Sequence, residues 1–125
     1  MVGYLLSSFH LNRNSLNSLT AISSIDLLCT NLTREQCIRG QNSFGSALEN
    51  NGLGISYPSF ANPQPGTKTF YSGGFITENY ISRISAIQTE LPAHIRTSVN
   101  RTENAKKYAQ AIVDYMTALN LILSV

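Results

Sequence analysis

Charge is scarce in this sequence, and it is not gathered into patches. Only 13% of the 125 residues are charged, and the formal net charge is +2. Lys106 and Lys107 form the only adjacent basic pair, which is too little to indicate a nucleic-acid partner. Asp114 and Asn120 interrupt the apolar run near the carboxyl terminus, so no stretch has the apolar length that a bilayer requires. We therefore expect neither nucleic acid nor a membrane as partner, and a single domain over residues 1–125 with one modest core.

Side chains that bind metals are also few. Cys29 and Cys37 are the only cysteines, and His10 and His94 are the only histidines. Zinc sites use four ligands, and neither cysteine has a histidine or a further thiol at the spacing of a zinc finger. Both histidines are interpreted as surface side chains. No G-x-S-x-G sequence is present, which argues against a serine hydrolase of the α/β type.

The segment between the cysteines contains a glycosylation sequon, Asn31-Leu32-Thr33, and a second sequon is Asn100-Arg101-Thr102. Together with the cysteines they hint at a secretory history, although the first residues do not have the charged region and long apolar core of a secretion signal. A disulfide closing this short loop and two free thiols in a reducing compartment both remain open. The localisation is therefore not predicted.

Periodicity and turn residues predict an α/β arrangement. Alternating apolar residues predict three strands, at Gly3–Ser7, Leu53–Tyr57 and Ser85–Glu90. Helical spacing predicts helices at Leu16–Leu28, at Phe44–Glu49 after the cap Ser43, and at Ala105–Leu123 after the cap Thr102. The segment after Tyr57 is rich in proline, glycine and asparagine and is expected to be a long loop. The helices would then pack on a small sheet.

Glu90 stands where an apolar strand ends. Ile84, Ala86 and Gln88 alternate with the residues between them, and Pro92 stops the strand two residues after Glu90. Open α/β sheets keep their ligand crevices at the carboxyl ends of their strands. A carboxylate in that position can act as a general base, so Glu90 is the first candidate for a catalytic residue.

Four blocks of sequence occur in one order along the chain. Residues 1–12 read M-V-G-Y-L-L-S-S-F-H-L-N, residues 37–45 read C-I-R-G-Q-N-S-F-G, and residues 57–66 read Y-P-S-F-A-N-P-Q-P-G. The fourth block, residues 73–96, reads G-G-F-I-T-E-N-Y, a short polar spacer and then S-A-I-Q-T-E-L-P-A-H-I-R. These blocks resemble the N-formylglutamate amidohydrolase family, whose members carry E-L-G-Y-x-x-S-x-x-x-L-N, I-R-G-x-x-S-x-G, G-G-Y-x-T-R-x-x-G and A-I-Q-I-E-x-P-x-x-x-R. Their shared order argues against chance similarity.

The resemblance implies a zinc-dependent amidase on a carboxypeptidase-like α/β sheet, cleaving a formyl or related amide bond. In that family the zinc-binding histidines precede the block with which this chain begins. The expected fold is therefore a partial carboxypeptidase-like mixed sheet flanked by helices, truncated to the carboxyl-terminal part of such a domain. Zinc is the cofactor of the complete family, and this fragment is expected to bind none.

The resemblance assigns Glu90 as the general base that takes a proton from a metal-bound water. Without that metal, solvation or pairing with Arg96 or Arg83 is the alternative. Arg39 is the expected anchor of a substrate carboxylate, which it would hold in two parallel hydrogen bonds, and Arg96 is a second candidate for the same role. Either arginine can instead be a solvated surface side chain.

Gly73 and Gly74 are assigned to close backbone approach or positive φ beside the substrate. Glu78 occupies the position at which the family has arginine. If Glu78 faces the crevice, it repels an anionic substrate by about one to several kcal/mol, depending on burial. The identity of the substrate therefore stays open.

Three functions remain open. The first is a metal-dependent amidohydrolase that is active only when the missing half is supplied. The second is a non-catalytic remnant that binds a small carboxylate or acyl-amino acid through Arg39 or Arg96, and the third is a product without function of its own. Because removing half of a mixed sheet exposes a strand edge, self-association through that edge is expected.

Overall fold

The computed structural model describes residues 1–81, 83–97 and 99–120, and its regular elements are mainly helical. They are, in chain order, β1 (Val2–Gly3), α1 (Ser8–Leu11), α2 (Arg34–Arg39), α3 (Phe44–Asn50), α4 (Phe75–Asn79), β2 (Gln88–Thr89), α5 (Ala93–Arg96) and α6 (Arg101–Ala118). A 3₁₀ turn occupies Asp26–Leu28. The two strands pair antiparallel, Val2 with Thr89 and Gly3 with Gln88.

The predicted α/β fold with a carboxypeptidase-like mixed sheet is wrong. The protein is 40% helix and 3% strand, and its described residues form one sheet of two strands. Leu5 adopts a φ of 65°, which ends β1, and Gly54 adopts a φ of 87° inside the predicted strand Leu53–Tyr57. A pleated strand requires negative φ, so both segments leave the extended conformation. Of the predicted strand Ser85–Glu90, only Gln88–Thr89 is paired as a strand.

The predicted helix Leu16–Leu28 is also wrong, because only the 3₁₀ turn at its end is helical. Ser15 Oγ accepts the N–H of Asn17 at 3.3 Å, and Ser23 donates its N–H to Asp26 Oδ2 at 3.0 Å. Short polar side chains that bond to the nearby backbone favour turns over helix. Of the apolar stripe predicted for this helix, Leu16 and Leu19 are nevertheless buried, whereas Ile22 and Leu27 are exposed.

The predicted helix Phe44–Glu49 and the carboxyl-terminal helix are confirmed. Ser43 precedes α3, and its Oγ accepts the N–H of Ser46 at 3.4 Å. α6 runs for 18 residues, with Asn100 rather than Thr102 at its cap position. The helix ends at Ala118, before the predicted Leu119, and the predicted last residue, Leu123, lies outside the described residues. No helix in the described ranges combines the length and apolar character needed to cross a membrane.

The aromatic rings of α3 and α6 join these two helices. Phe44 lies perpendicular to Tyr108, with the ring centres 5.9 Å apart, and tilted against Tyr115, with the centres 5.4 Å apart. Ala105 and Ala109 are exposed, so only one side of the predicted apolar stripe of α6 belongs to the core. The core continues through other fully buried side chains: Val2, Tyr4, Leu6, Leu11, Leu16, Ile25 and Ile38.

A reciprocal cap defines α2, which the sequence pattern did not reveal. Thr33 Oγ1 accepts the N–H of Gln36 at 3.2 Å, and Gln36 Oε1 accepts the N–H of Thr33 at 3.1 Å. The helix also carries Cys37, which is joined to Cys29 with a Cα–Cα distance of 5.7 Å. Of the two alternatives for the cysteines, the structure therefore contains the disulfide.

Candidate functional site

An open crevice at the end of β2 contains two of the predicted site residues. Glu90 directly follows β2, and Arg96 is the last residue of α5. Both line a crevice of about 570 Å³, whose other lining residues are Met1, Ile55, Tyr57, Thr69, Leu91, Pro92 and Ala93. The crevice therefore presents a carboxylate and a guanidinium beside apolar side chains.

Backbone hydrogen bonds hold the two charged residues at this crevice. Glu90 donates its N–H to Met1 O at 2.9 Å, and the Met1 nitrogen donates to Glu90 O at 2.8 Å. Pro92 then ends the strand, since it has no N–H to donate, and its carbonyl accepts the N–H of Ile95 at 3.0 Å. The resulting turn of helix brings Arg96 back toward the strand end, where its Nε donates to Leu91 O at 3.2 Å.

The charges of the crevice are exposed and available. Glu90 and Arg96 are both solvent-exposed. Among the residues that the structure describes, the Glu90 carboxylate forms no ion pair, neither with Arg96 nor with Arg83. The terminal nitrogens of the Arg96 guanidinium likewise have no hydrogen bond to any residue in the described ranges. A ligand can therefore reach both groups, and the Met1 ammonium at the same crevice interacts electrostatically with Glu90.

Tyr57, one of the side chains that line the crevice, also contacts a lysine. Lys68 Nζ lies 5.1 Å from the centre of the Tyr57 ring, in a cation–π arrangement. The crevice therefore has an aromatic wall whose ring is in contact with a positive charge.

Arg39, the expected substrate anchor, is instead an internal support. It is only 3% exposed, and its Nε donates to Glu35 Oε1 at 2.5 Å. Its terminal nitrogens donate to the carbonyl oxygens of Leu11 at 2.6 Å, Arg13 at 2.8 Å and Pro63 at 3.3 Å. Because these bonds occupy the guanidinium and Arg39 does not line the Glu90 crevice, we do not assign it to substrate binding.

Gly73 and Gly74 allow the start of α4 to pack closely. Gly73 has a φ of 133°, and a Cβ there would lie 2.5 Å from Thr77 Oγ1. A Cβ on Gly74 would lie 2.7 Å from the hydroxyl of Tyr71. Neither glycine lines the Glu90 crevice, and Glu78 is exposed on α4 without lining it either. Packing within the protein, rather than contact with a ligand, therefore accounts for glycine at positions 73 and 74.

The zinc that the resemblance implies finds no set of donors in the described part of the chain. No group of three or more His, Cys, Asp or Glu side chains lies together there. Both cysteines are in the disulfide, and His10 Nδ1 accepts the N–H of Ser7 at 3.2 Å as part of the cap of α1. His94 is exposed on α5. The described residues therefore do not fit a zinc site, and we derive no chemical step through that metal.

Glu49 is a supporting residue that sequence reasoning missed. Its Oε1 accepts the N–H of Ser56 at 2.8 Å, the hydroxyl of Ser59 at 2.9 Å and the amide of Asn62 at 2.7 Å. These bonds shape the loop that carries Tyr57 to the crevice. Its only signal in the sequence is an acidic residue near the end of a helix, followed by a loop rich in serine and asparagine.

Comparison of the chain with family models, with curated proteins and with solved structures finds no match. The resemblance described above therefore depends on the four blocks alone. Three of these blocks lie together in the structure. Val2 donates its N–H to Tyr57 O at 2.8 Å, and β1 pairs with β2, so that residues 1–12, 57–66 and 73–96 meet. The crevice lies beside this junction, at the Met1 end of β1.

Proposed function

We propose that this protein binds a small carboxylic acid, of the acyl-amino acid class, in the crevice between Glu90 and Arg96. The observation that supports this proposal is that one crevice presents an exposed carboxylate, which is in no ion pair among the described residues, and an exposed guanidinium, whose terminal nitrogens have no hydrogen bond among them. A guanidinium holds a carboxylate in two parallel hydrogen bonds. Glu90, which can only accept hydrogen bonds when ionised, takes the amide N–H of the same ligand.

The apolar side chains of the crevice hold the rest of the ligand. Leu91 and the 70% exposed Ile55 offer aliphatic surface, and Tyr57 offers an aromatic wall. Small-molecule sites commonly combine such apolar lining with a few polar groups that fix the orientation of the ligand. Because the crevice is open and its charges are hydrated, we expect weak binding, with a Kd on the order of 1 mM.

Calorimetric titration with N-acetylglutamate and N-formylglutamate tests this proposal. Arg96→Gln should weaken binding by about tenfold, which corresponds to the ~1.5 kcal/mol of a hydrogen bond to a charged group. Arg83→Gln is the matched control, because Arg83 is also an exposed arginine but does not line the crevice. Flat heats with the wild type, or equal losses in both variants, would contradict the proposal.

The four sequence blocks favour a second candidate, in which Glu90 is the proton acceptor of an amide hydrolase resembling N-formylglutamate amidohydrolase. This activity needs a metal and ligands that the described residues do not supply. The isolated protein with added zinc is therefore expected not to release formate from N-formylglutamate. Metal-dependent turnover that Glu90→Gln abolishes would show that this chain is sufficient for hydrolysis.

A further inference from the structure

The turn before α2 carries an exposed asparagine inside a covalently closed loop. The disulfide joins Cys29, directly after the 3₁₀ turn, to Cys37, the fourth residue of α2. Asn31 lies in a turn within this loop and is exposed to solvent. The N–H of Leu32 donates to Cys29 O at 3.1 Å, which fixes the turn.

The residues of this turn meet the chemical requirement for oligosaccharide transfer. Asn31 is followed two residues later by the hydroxyl of Thr33, and the residue between them is not proline. Among the described residues, no hydrogen bond involves the Asn31 carboxamide. A bulky group on its nitrogen therefore breaks no hydrogen bond among the described residues.

We propose that Asn31 accepts an N-linked oligosaccharide, and that closure of the Cys29–Cys37 loop limits the fraction of molecules that receive it. The donor is a lipid-linked oligosaccharide pyrophosphate. Asn31 Nδ2 forms a bond to the anomeric carbon of the sugar, while the bond from that carbon to the pyrophosphate oxygen breaks. The lipid pyrophosphate leaves, and the amide gives up one proton to a base, so that no electrons are exchanged.

Loop closure competes with this transfer because both reactions use the same segment. The closed loop holds Asn31 in its turn, and the Thr33 hydroxyl accepts the N–H of Gln36 as the cap of α2. A segment held in this way does not present the asparagine and the hydroxyl together to a transferase. Disulfide formation takes seconds to hours, depending on the oxidant, so the oxidising conditions set how many chains are modified before closure.

A glycan at this position also lies beside exposed apolar surface. Leu27 is 54% exposed, and Leu32, inside the sequon itself, is 38% exposed. Glycans are bulky and solubilising groups on protein surfaces. Modification at Asn31 therefore places a hydrophilic group next to side chains that otherwise favour association.

The test expresses the full chain behind a cleavable secretion signal in a eukaryotic cell, as wild type, Asn31→Gln, Asn100→Gln and the double variant Cys29→Ser/Cys37→Ser. Enzymatic release of the glycans in heavy-oxygen water converts each occupied asparagine into a labelled aspartate, which peptide mass spectrometry locates. Asn100→Gln is the matched control, because it removes the second sequon and leaves the loop unchanged. The label is measured in the cell lysate as well as in the medium, so that a variant retained in the cell is counted.

We expect labelled aspartate at position 31 in the wild type and in Asn100→Gln, and the loss of one glycan on a gel in Asn31→Gln. Occupancy at position 31 should rise in the double cysteine variant. A wild-type protein without label at this position overturns the acceptor assignment. Equal occupancy with and without the cysteines overturns the competition between modification and loop closure.

Discussion

Arg39 and Glu35, one helical turn apart in α2, form an ion pair in which the arginine side chain is 2% exposed and the glutamate side chain is 34% exposed. The pair extends to the backbone at both ends. Arg39 donates to the carbonyl oxygens of Leu11 and Arg13, and Glu35 Oε2 accepts the N–H of Leu16 at 2.8 Å. Two charged side chains therefore connect the irregular segment 11–16 to α2. The segment that follows does not form the helix predicted for it.

Replacing Arg39 with glutamine should lower the free energy of unfolding by about 3 kcal/mol, because removing the buried partner of this partly buried pair leaves Glu35 Oε1 and several carbonyl groups without a donor. Arg39→Lys should also destabilise, since an ammonium group cannot reproduce the planar fork of donors. Urea denaturation followed by circular dichroism measures the effect. Arg83→Gln, at an exposed arginine, should change the free energy by less than ~0.5 kcal/mol. An equally mild result for Arg39→Gln would show that the guanidinium is not a support.

Glu49→Ala should loosen the loop that carries Tyr57 to the crevice, because three donors lose their common acceptor. We expect a loss of about 1–3 kcal/mol, the cost of leaving such groups unsatisfied. Hydrogen exchange should accelerate at Ser56 and Asn62 rather than over the whole chain. Glu49→Gln keeps the acceptor oxygen and should cost less, whereas Glu78→Gln, at an exposed glutamate, should have no effect on this loop. Uniformly faster exchange would contradict the local role of Glu49.

The sequence predicted the helices whose caps, ends and apolar faces are formed by residues of the helix segment itself. α3 has a serine cap and a glycine and asparagine ending within its own segment, and α6 has an apolar face over 18 residues. The predicted strands were wrong because the backbone turns at Leu5 and Gly54; leucine gives no sign of a positive φ, and glycine permits one without requiring it. Alternation of apolar residues therefore indicated segments that are almost unpaired in the structure.

The crevice was partly predictable, and the internal role of Arg39 was not. Glu90 and Arg96 flank Pro92, so the sequence already indicates a strand end, a turn and a nearby cation. Arg39 receives its partners from residues 11, 13 and 63, which are distant along the chain. No pattern around Arg39 shows that these carbonyl groups converge, so a buried arginine and a surface arginine look alike in the sequence.

Tyr115→Phe should be neutral or stabilising. The Tyr115 hydroxyl is buried, and no hydrogen-bond partner lies near it among the described residues. An unsatisfied buried polar group costs about 1–3 kcal/mol, and phenylalanine keeps the ring contact with Phe44 while removing that group. Thermal melting measures the change. Tyr115→Ala, which removes the ring as well, should destabilise by about 3–5 kcal/mol. A phenylalanine variant as unstable as the alanine variant would reveal a role of the hydroxyl.

The protein should lose stability above pH 10. Burial raises the pKa of Tyr115 to about 12 from its ordinary value of 10.0, and burial, with the neighbouring Tyr115 phenol, also raises the pKa of Tyr4. Between pH 10 and pH 12 the unfolded chain releases the Tyr115 phenolic proton, whereas the folded protein keeps it. The free energy of unfolding therefore has its full value below pH 10 and falls as the pH rises toward 12. The pH-dependent contribution of Tyr115 is about 3 kcal/mol, since a difference of one in pKa corresponds to ~1.4 kcal/mol. Melting temperatures from pH 8 to pH 11 should therefore fall less steeply in Tyr115→Phe than in the wild type, and parallel curves would refute this origin.

Glu90→Gln should change which carboxylic acids the crevice accepts. The ionised Glu90 repels a second negative charge on a ligand held by Arg96, and in a solvated crevice this repulsion is about 1 kcal/mol. The variant should therefore bind N-formylglutamate, which has two carboxylates, about fivefold more tightly relative to N-formylalanine, which has one.

Calorimetric titration of both ligands at low and high salt measures the ratio of the two affinities. Salt should reduce the difference between the variant and the wild type because exposed charges are screened. Glu78→Gln removes the same charge from an exposed position that does not line the crevice and should leave the ratio unchanged. If both variants shift the ratio equally, the preference comes from the net charge of the protein and not from Glu90.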